Sequence, residues 1–260
     1  MKHLKKKYIK HFKIGPDVLK VLESVPENRE GIEKMKEEKF DNHMGIILTE
    51  NNDLVQAFKY IEGDRIFMFP EPNPIVIYFD TARHYANLIR NKRTEIFQKL
   101  DYVDEKIGAT TGDFYSYFSL TSTYATMLFF SLEAFINKLI PNDFEYKKLT
   151  DKRTEVYDKF QIQRQIEFEE KMKVIIPNVG GKNFVFHFTH KYEQIKKLKT
   201  FRDEIAHTKS YHKENVPNFY ENLFSMSLGF EYDKTLEFVR DFINYYEPNL
   251  IEECNCGKDH

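Results

Sequence analysis

From Asp80 onward the apolar residues of this chain fall into a helical seam, and that seam limits the fold more than any other feature. Ala82, Ala86, Ile89, Ile96, Leu100, Val103 and Ile107 recur at alternating spacings of four and three, with Arg93 as the interruption. Residues so spaced share one face of a helix, and such a stripe must pack on a neighbour. Asp80 or Thr81 is the expected cap. After Gly108 and Gly112 a second helix is expected over Asp113 to Ile140, ended by Pro141-Asn142. It carries Phe114, Phe118, Leu120, Tyr124, Leu128, Phe129, Leu132, Phe135, Ile136 and Leu139 nearly all round. A helix apolar on every side belongs inside a bundle.

The remaining segments extend that pattern. A third helix is predicted from about Arg153 to Ile175, capped by Thr150 or Asp151 and stopped at Pro177-Asn-Val-Gly-Gly181. Residues 184 to 188, Phe-Val-Phe-His-Phe, fit either a short extended piece or a docking loop. Thr189 then caps a helix from His190 to about His207 with the stripe Ile195, Leu198, Phe201 and Ile205. Further helices are expected near Pro217 to Leu228 and over Asp233 to Tyr246, the latter stopped by Pro248.

Residues 1 to 80 differ. Arg29 to Lys39 is dense in Lys and Glu and fits a short solvated helix. Met44 to Leu48, Arg65 to Phe69 and Ile75 to Phe79 are short β-branched or aromatic runs, split by Gly63-Asp64 and by Pro70-Glu-Pro-Asn-Pro74. The expected architecture is mainly α, a bundle of five or six helices over 81–247, behind a small mixed α/β lobe (1–80) and before a flexible tail (248–260).

Charge and cysteine usage narrow the function. With 39 basic and 41 acidic residues the net charge is −2, so any hold on a polyanion must come from a local patch. Both cysteines, Cys254 and Cys256, lie in the last seven residues, which argues against a disulfide framework and fits a reducing, cytoplasmic setting. No apolar run approaches the roughly 20 residues of a membrane span. Cys254, Cys256 and His260 supply three groups where tetrahedral zinc takes four, so neither a metal nor a cofactor is expected. The N-terminal lysines, Lys2 to Lys13, read as a solvated arm, and Pro177 to Lys182 lacks the Ser or Thr that completes a phosphate loop.

The segment Phe201-Arg-Asp-Glu-Ile-Ala-His207 ends one of the expected helices. Arg202 supplies a permanently cationic fork and His207 an imidazole, which together can grip a phosphate and move a proton. An ordinary helix separates the two by roughly 140° and about 7.5 Å, so one helix does not readily aim both at one phosphate; two helices about a two-fold axis can. Lys209 and His212 add positive charge nearby. The plainer alternative is a surface ion pair beside a helix-terminal imidazole. Glu133 and Asn137, four apart on the apolar second helix, need polar partners, and Arg202 is the expected one.

With Arg202, Asp203 and His207 in this order, and Ser131 to Ile140 as a core helix bearing an acidic or amide residue, the chain resembles the HEPN superfamily over roughly Asp113 to Tyr246. That resemblance implies a helical homodimer acting as a metal-independent endoribonuclease, with Arg202 as phosphate clamp and His207 as proton-transfer group. Asp203, Glu133 and Asn137 would orient them. Its members are often toxins, paired with an antitoxin protein, or antiviral RNases; others only dimerise or bind RNA. The lobe before residue 80 and the connection from Pro141 to Lys199 depart from the family.

Overall fold

The computed structural model describes residues 3–9, 11–12, 44–48, 54–101, 111–149, 151, 153–208, 211–213 and 216–255. Two compact units divide the chain, one of Lys6–Asn73 and one of Met1–Lys5 with Pro74–His260. The boundary therefore lies at Asn73-Pro74, earlier than residue 80.

The smaller unit is an antiparallel sheet of four strands: β1 (His11–Phe12), β2 (Met44–Leu48), β3 (Leu54–Glu62) and β4 (Arg65–Pro70), in the order β1-β3-β2 with β4 also on β3. Glu62 pairs with Arg65 across Gly63-Asp64, and Gly63 takes φ 58°, the left-handed backbone that the first position of such a two-residue turn requires. Along β3 the pleat is plain, for Val55 and Ala57 are buried while Phe58 and Tyr60 face outward. The stretch Arg29 to Lys39 lies outside the described residues.

The larger unit is mainly helical. Its first helix, α1 (Pro74–Asp101), begins earlier than expected and absorbs Ile75 to Phe79. Proline sits at the first helical position, where its missing N–H leaves no bond unmade and its fixed φ suits the helix. Ile75, Val76 and Phe79 then continue the buried seam of Ala82, Ala86 and Ile89. Neither expected cap acts as one: Thr81 Oγ1 donates to the Ile77 carbonyl at 2.9 Å, and Asp80 pairs with Arg83 at 2.7 Å. The second helix, α2 (Thr111–Leu139), buries Tyr117, Tyr124, Leu128, Phe129, Leu132, Phe135 and Ile136. Its buried Ser131 Oγ donates to the Ile75 carbonyl at 2.8 Å, which joins the two helices.

Between α2 and the next helices the expectation of one helix from Arg153 fails. A hairpin of β5 (Tyr146–Leu149) and β6 (Thr154–Tyr157) stands there, with burial alternating along both strands. Helix α3 (Lys159–Gln165) starts only at Asp158, whose side chain accepts from the Gln161 N–H while Gln161 returns a bond to Asp158 N–H. Ile166 breaks it in extended conformation. The chain resumes as α4 (Phe168–Glu170), a π turn (Lys171–Ile175) and α5 (Ile176–Gly180), so Pro177 does not stop the helix. In the π turn Ile176 N–H reaches the Lys171 carbonyl, and Pro177 follows in the first turn of α5. Gly181, at φ 66°, ends the run.

Phe184 to His187 is a helical turn, α6, capped by Asn183, whose side chain accepts from Phe186 N–H. Helix α7 (Thr189–Ala206) buries Ile195, Leu198 and Phe201; Thr189 lies inside it and bonds back to Val185 rather than capping. A hairpin, β7 (Tyr211–Lys213) and β8 (Val216–Phe219), takes up Pro217, after which α8 (Glu221–Gly229) and α9 (Tyr232–Tyr246) complete the unit. The C-terminal stretch is not a loose tail as far as Asn255. Leu250 and Ile251 are buried, the Asn244 amide exchanges two bonds of 2.9 Å with the Ile251 backbone, and Cys254 N–H donates to the His3 carbonyl.

Candidate active site

Phe201 and Leu198 anchor α7 in the core, and this fixes where Arg202 can reach. Its guanidinium lies over the ring of Phe129 from α2, 4.0 Å from the ring centre. That stacking desolvates one face of the fork while the ring's negative face offsets part of the loss. Arg202 also meets Asp203 at 3.1 Å, and Lys199 meets the other oxygen of Asp203 at 2.6 Å. Asp203 is thus held by two cations on its own helix. Arg202 Nε and Asn137 Oδ1 are buried polar atoms without a hydrogen-bond partner among the described residues.

His207 ends α7. Its backbone leaves helical geometry at φ −122° and ψ 44°, with the N–H still donating to the Asp203 carbonyl at 2.9 Å. Thr208 Oγ1 closes the helix end on the carbonyls of Glu204 and Ile205. Arg202 and His207 both line one cavity of about 450 Å³ within a single chain.

That cavity brings together most of the expected residues. Glu133, Lys199, Arg202, Asp203 and His207 line it together with Gln163 to Phe168 and Lys171. Asn137 does not line it. Nor does Glu133 pair with Arg202 as expected; among the described residues no ion pair joins them, since Arg202 is committed to Phe129 and Asp203. Lys209 and the side chain of His212 lie outside the described residues, as do Cys256 and His260; Cys254 is half-buried. Among the described residues no group of three or more His, Cys, Asp or Glu is placed to hold a metal ion.

Lys171 is the residue that sequence reasoning passed over. It is only 6% exposed, and Nζ donates to the Gln163 carbonyl at 2.7 Å. Burial lowers its pKa from the ordinary lysine value, against the opposing pull of Glu133 and then Glu167. A signal was available: Lys171 stands three residues after Phe168 and four before Ile175, on the buried stripe itself.

No family model, curated protein or solved structure matches the chain. Among the described residues no helix is long and apolar enough to cross a membrane.

Proposed function

We propose that this cavity is the active site of a metal-independent endoribonuclease of HEPN type. The observation that carries the reading is the convergence of Arg202 and His207, with Asp203 and Glu133, on one cavity. In the reaction His207 takes the proton of a ribose 2′-OH, the oxygen attacks the adjacent phosphorus, and the bond to the 5′ oxygen breaks as that oxygen takes the proton back from the His207 imidazolium. Arg202 balances the charge that builds on the phosphorane oxygens. The products are a 2′,3′-cyclic phosphate and a 5′-hydroxyl. Asp203 orients Arg202 through their ion pair, and Glu133 contributes negative charge to the cavity. In this reading the partners are RNA, a second copy of the chain and, where the enzyme serves as a toxin or in antiviral defence, an antitoxin protein that covers the cavity.

A non-catalytic RNA-binding or dimerisation role is the second reading, favoured by one observation: Arg202 is stacked on Phe129 and paired with Asp203, the situation of a structural arginine. The purified chain incubated with single-stranded RNA in EDTA separates the two. The enzyme reading expects cleavage by wild type and its loss in His207→Ala and in Arg202→Ala. Equal behaviour of wild type and His207→Ala overturns it.

A further inference from the structure

The cavity holds four side chains that bear positive charge, Arg164, Lys171, Lys199 and Arg202, and three carboxylates, Glu133, Glu167 and Asp203. The cations are not equivalent. Lys199 and Arg202 share Asp203, which spends much of their charge on an existing pair. Arg164 is exposed and stacks on Phe160, 4.0 Å from the ring centre. Lys171 alone among them is buried, and its hydrogen bond goes to a neutral carbonyl. An ammonium has three donors, so two remain for a ligand in the cavity.

Burying an ammonium without a carboxylate at hydrogen-bond distance is unfavourable, and an apolar side chain of similar length would usually serve stability better. The local backbone also departs from the ordinary. Lys171 opens the π turn, and such single wide turns inside helices recur at functional sites. Lys171, Met172 and Ile175 of this turn are all buried.

We propose that Lys171 is a substrate-contacting residue of the cavity, its ammonium meeting a non-bridging oxygen of the phosphodiester that Arg202 grips. The inference rests on the reading of the cavity as an RNA site and adds to it a cation from outside the Arg-His segment. The groups that face Lys171 are Glu133 from α2, Gln163 and Arg164 from α3, Glu167 before the π turn, and Lys199, Arg202, Asp203 and His207 from α7. Without the anion, burial disfavours the charged amine; an anion in the cavity favours the charged form, so binding raises the Lys171 pKa back toward its ordinary value.

The test titrates the full chain with a 2′-O-methyl RNA oligonucleotide, which presents phosphodiesters but cannot be cut. Lys171→Met should weaken binding about ten- to a hundredfold, the range for losing a charged hydrogen bond. Wild-type affinity should fall with rising pH at values below those where an ordinary lysine titrates, and Lys171→Met should lose that dependence. The thermal midpoint of Lys171→Met should equal or exceed that of wild type. Unchanged binding by a folded Lys171→Met overturns the inference, and so does a drop in affinity matched by a drop in the thermal midpoint, which marks a structural lysine. If His207 and Arg202 prove necessary for cleavage while Lys171→Met binds and cuts normally, this inference fails and the enzyme reading stands. If no RNA is cut but oligonucleotide binding depends on Lys171, the enzyme reading fails and the phosphodiester contact stands.

Discussion

Replacing Phe129 by leucine removes the surface on which Arg202 rests while leaving every charge in place. Phe129 is 1% exposed, with Arg202 4.0 Å from the ring centre and Phe168 5.5 Å centre to centre. A buried exchange between hydrophobic side chains of similar size costs about 1–1.5 kcal/mol. The cation–ring contact adds about 1 kcal/mol, a middle value because the Arg202 side chain keeps 23% exposure and solvent screens part of the attraction. The expected total is roughly 2 kcal/mol, or a fall of about 4–8 °C in the thermal midpoint for a protein of this size. A double-mutant cycle with Arg202→Met isolates the contact itself, with an expected coupling of about 0.5–1 kcal/mol from denaturant unfolding. The same loss of support lets the guanidinium drift, and a displacement of about 1 Å at a reacting centre lowers a rate by about a hundredfold. Single-turnover cleavage of RNA by folded Phe129→Leu measures it. Zero coupling in the cycle, or wild-type cleavage by Phe129→Leu, would refute the idea that the ring positions Arg202.

Other outcomes follow from the surroundings of the site. Gly180→Ala should destabilise by about 1–3 kcal/mol in denaturant unfolding, because a Cβ there would stand 2.7 Å from Tyr246 Cε1 and the Tyr246 hydroxyl is tied to the Lys182 carbonyl and Phe184 N–H; a neutral effect would mean that the ring moves freely. Asp158→Ala removes the capping box of α3 and should cost about 1 kcal/mol, with the loss read in the same unfolding experiment and reversed by Asp158→Ser. The Tyr146 phenol, pushed up to about 12 chiefly by burial and then by its bond to Glu170, favours the protonated form in the folded state. Its contribution is therefore complete below about pH 10 and is lost as pH rises through about 12, so unfolding midpoints should fall across that window less steeply in Tyr146→Phe. Identical pH profiles for the two proteins would sink that assignment.

The long helices were legible because periodicity reports burial directly: α2, the stripe of α7 and α9 follow from apolar spacing alone. The failures fall where another signal competed. Ile75 to Phe79 has strand composition, yet Pro74 starts a helix that those residues then seat. Tyr146 to Tyr157 alternates in burial over strands of four residues, too short to stand out against charged neighbours. Pro177 reads as a stop, yet it falls in the first turn of α5, which follows directly on a π turn that leaves no mark in residue spacing. At the site, the Arg202 and His207 pair was visible as a motif. That the two line one cavity together with Glu133 and Lys171 depends on how separate helices pack, which residue spacing along one helix does not report.

The central claim is most directly tested by identifying the ends left on cut RNA. Mass spectrometry of products formed in EDTA should find 2′,3′-cyclic phosphates facing 5′-hydroxyls, with none from His207→Ala. Fragments ending in 3′-hydroxyl and 5′-phosphate, or the same products at the same rate from His207→Ala, would contradict the account.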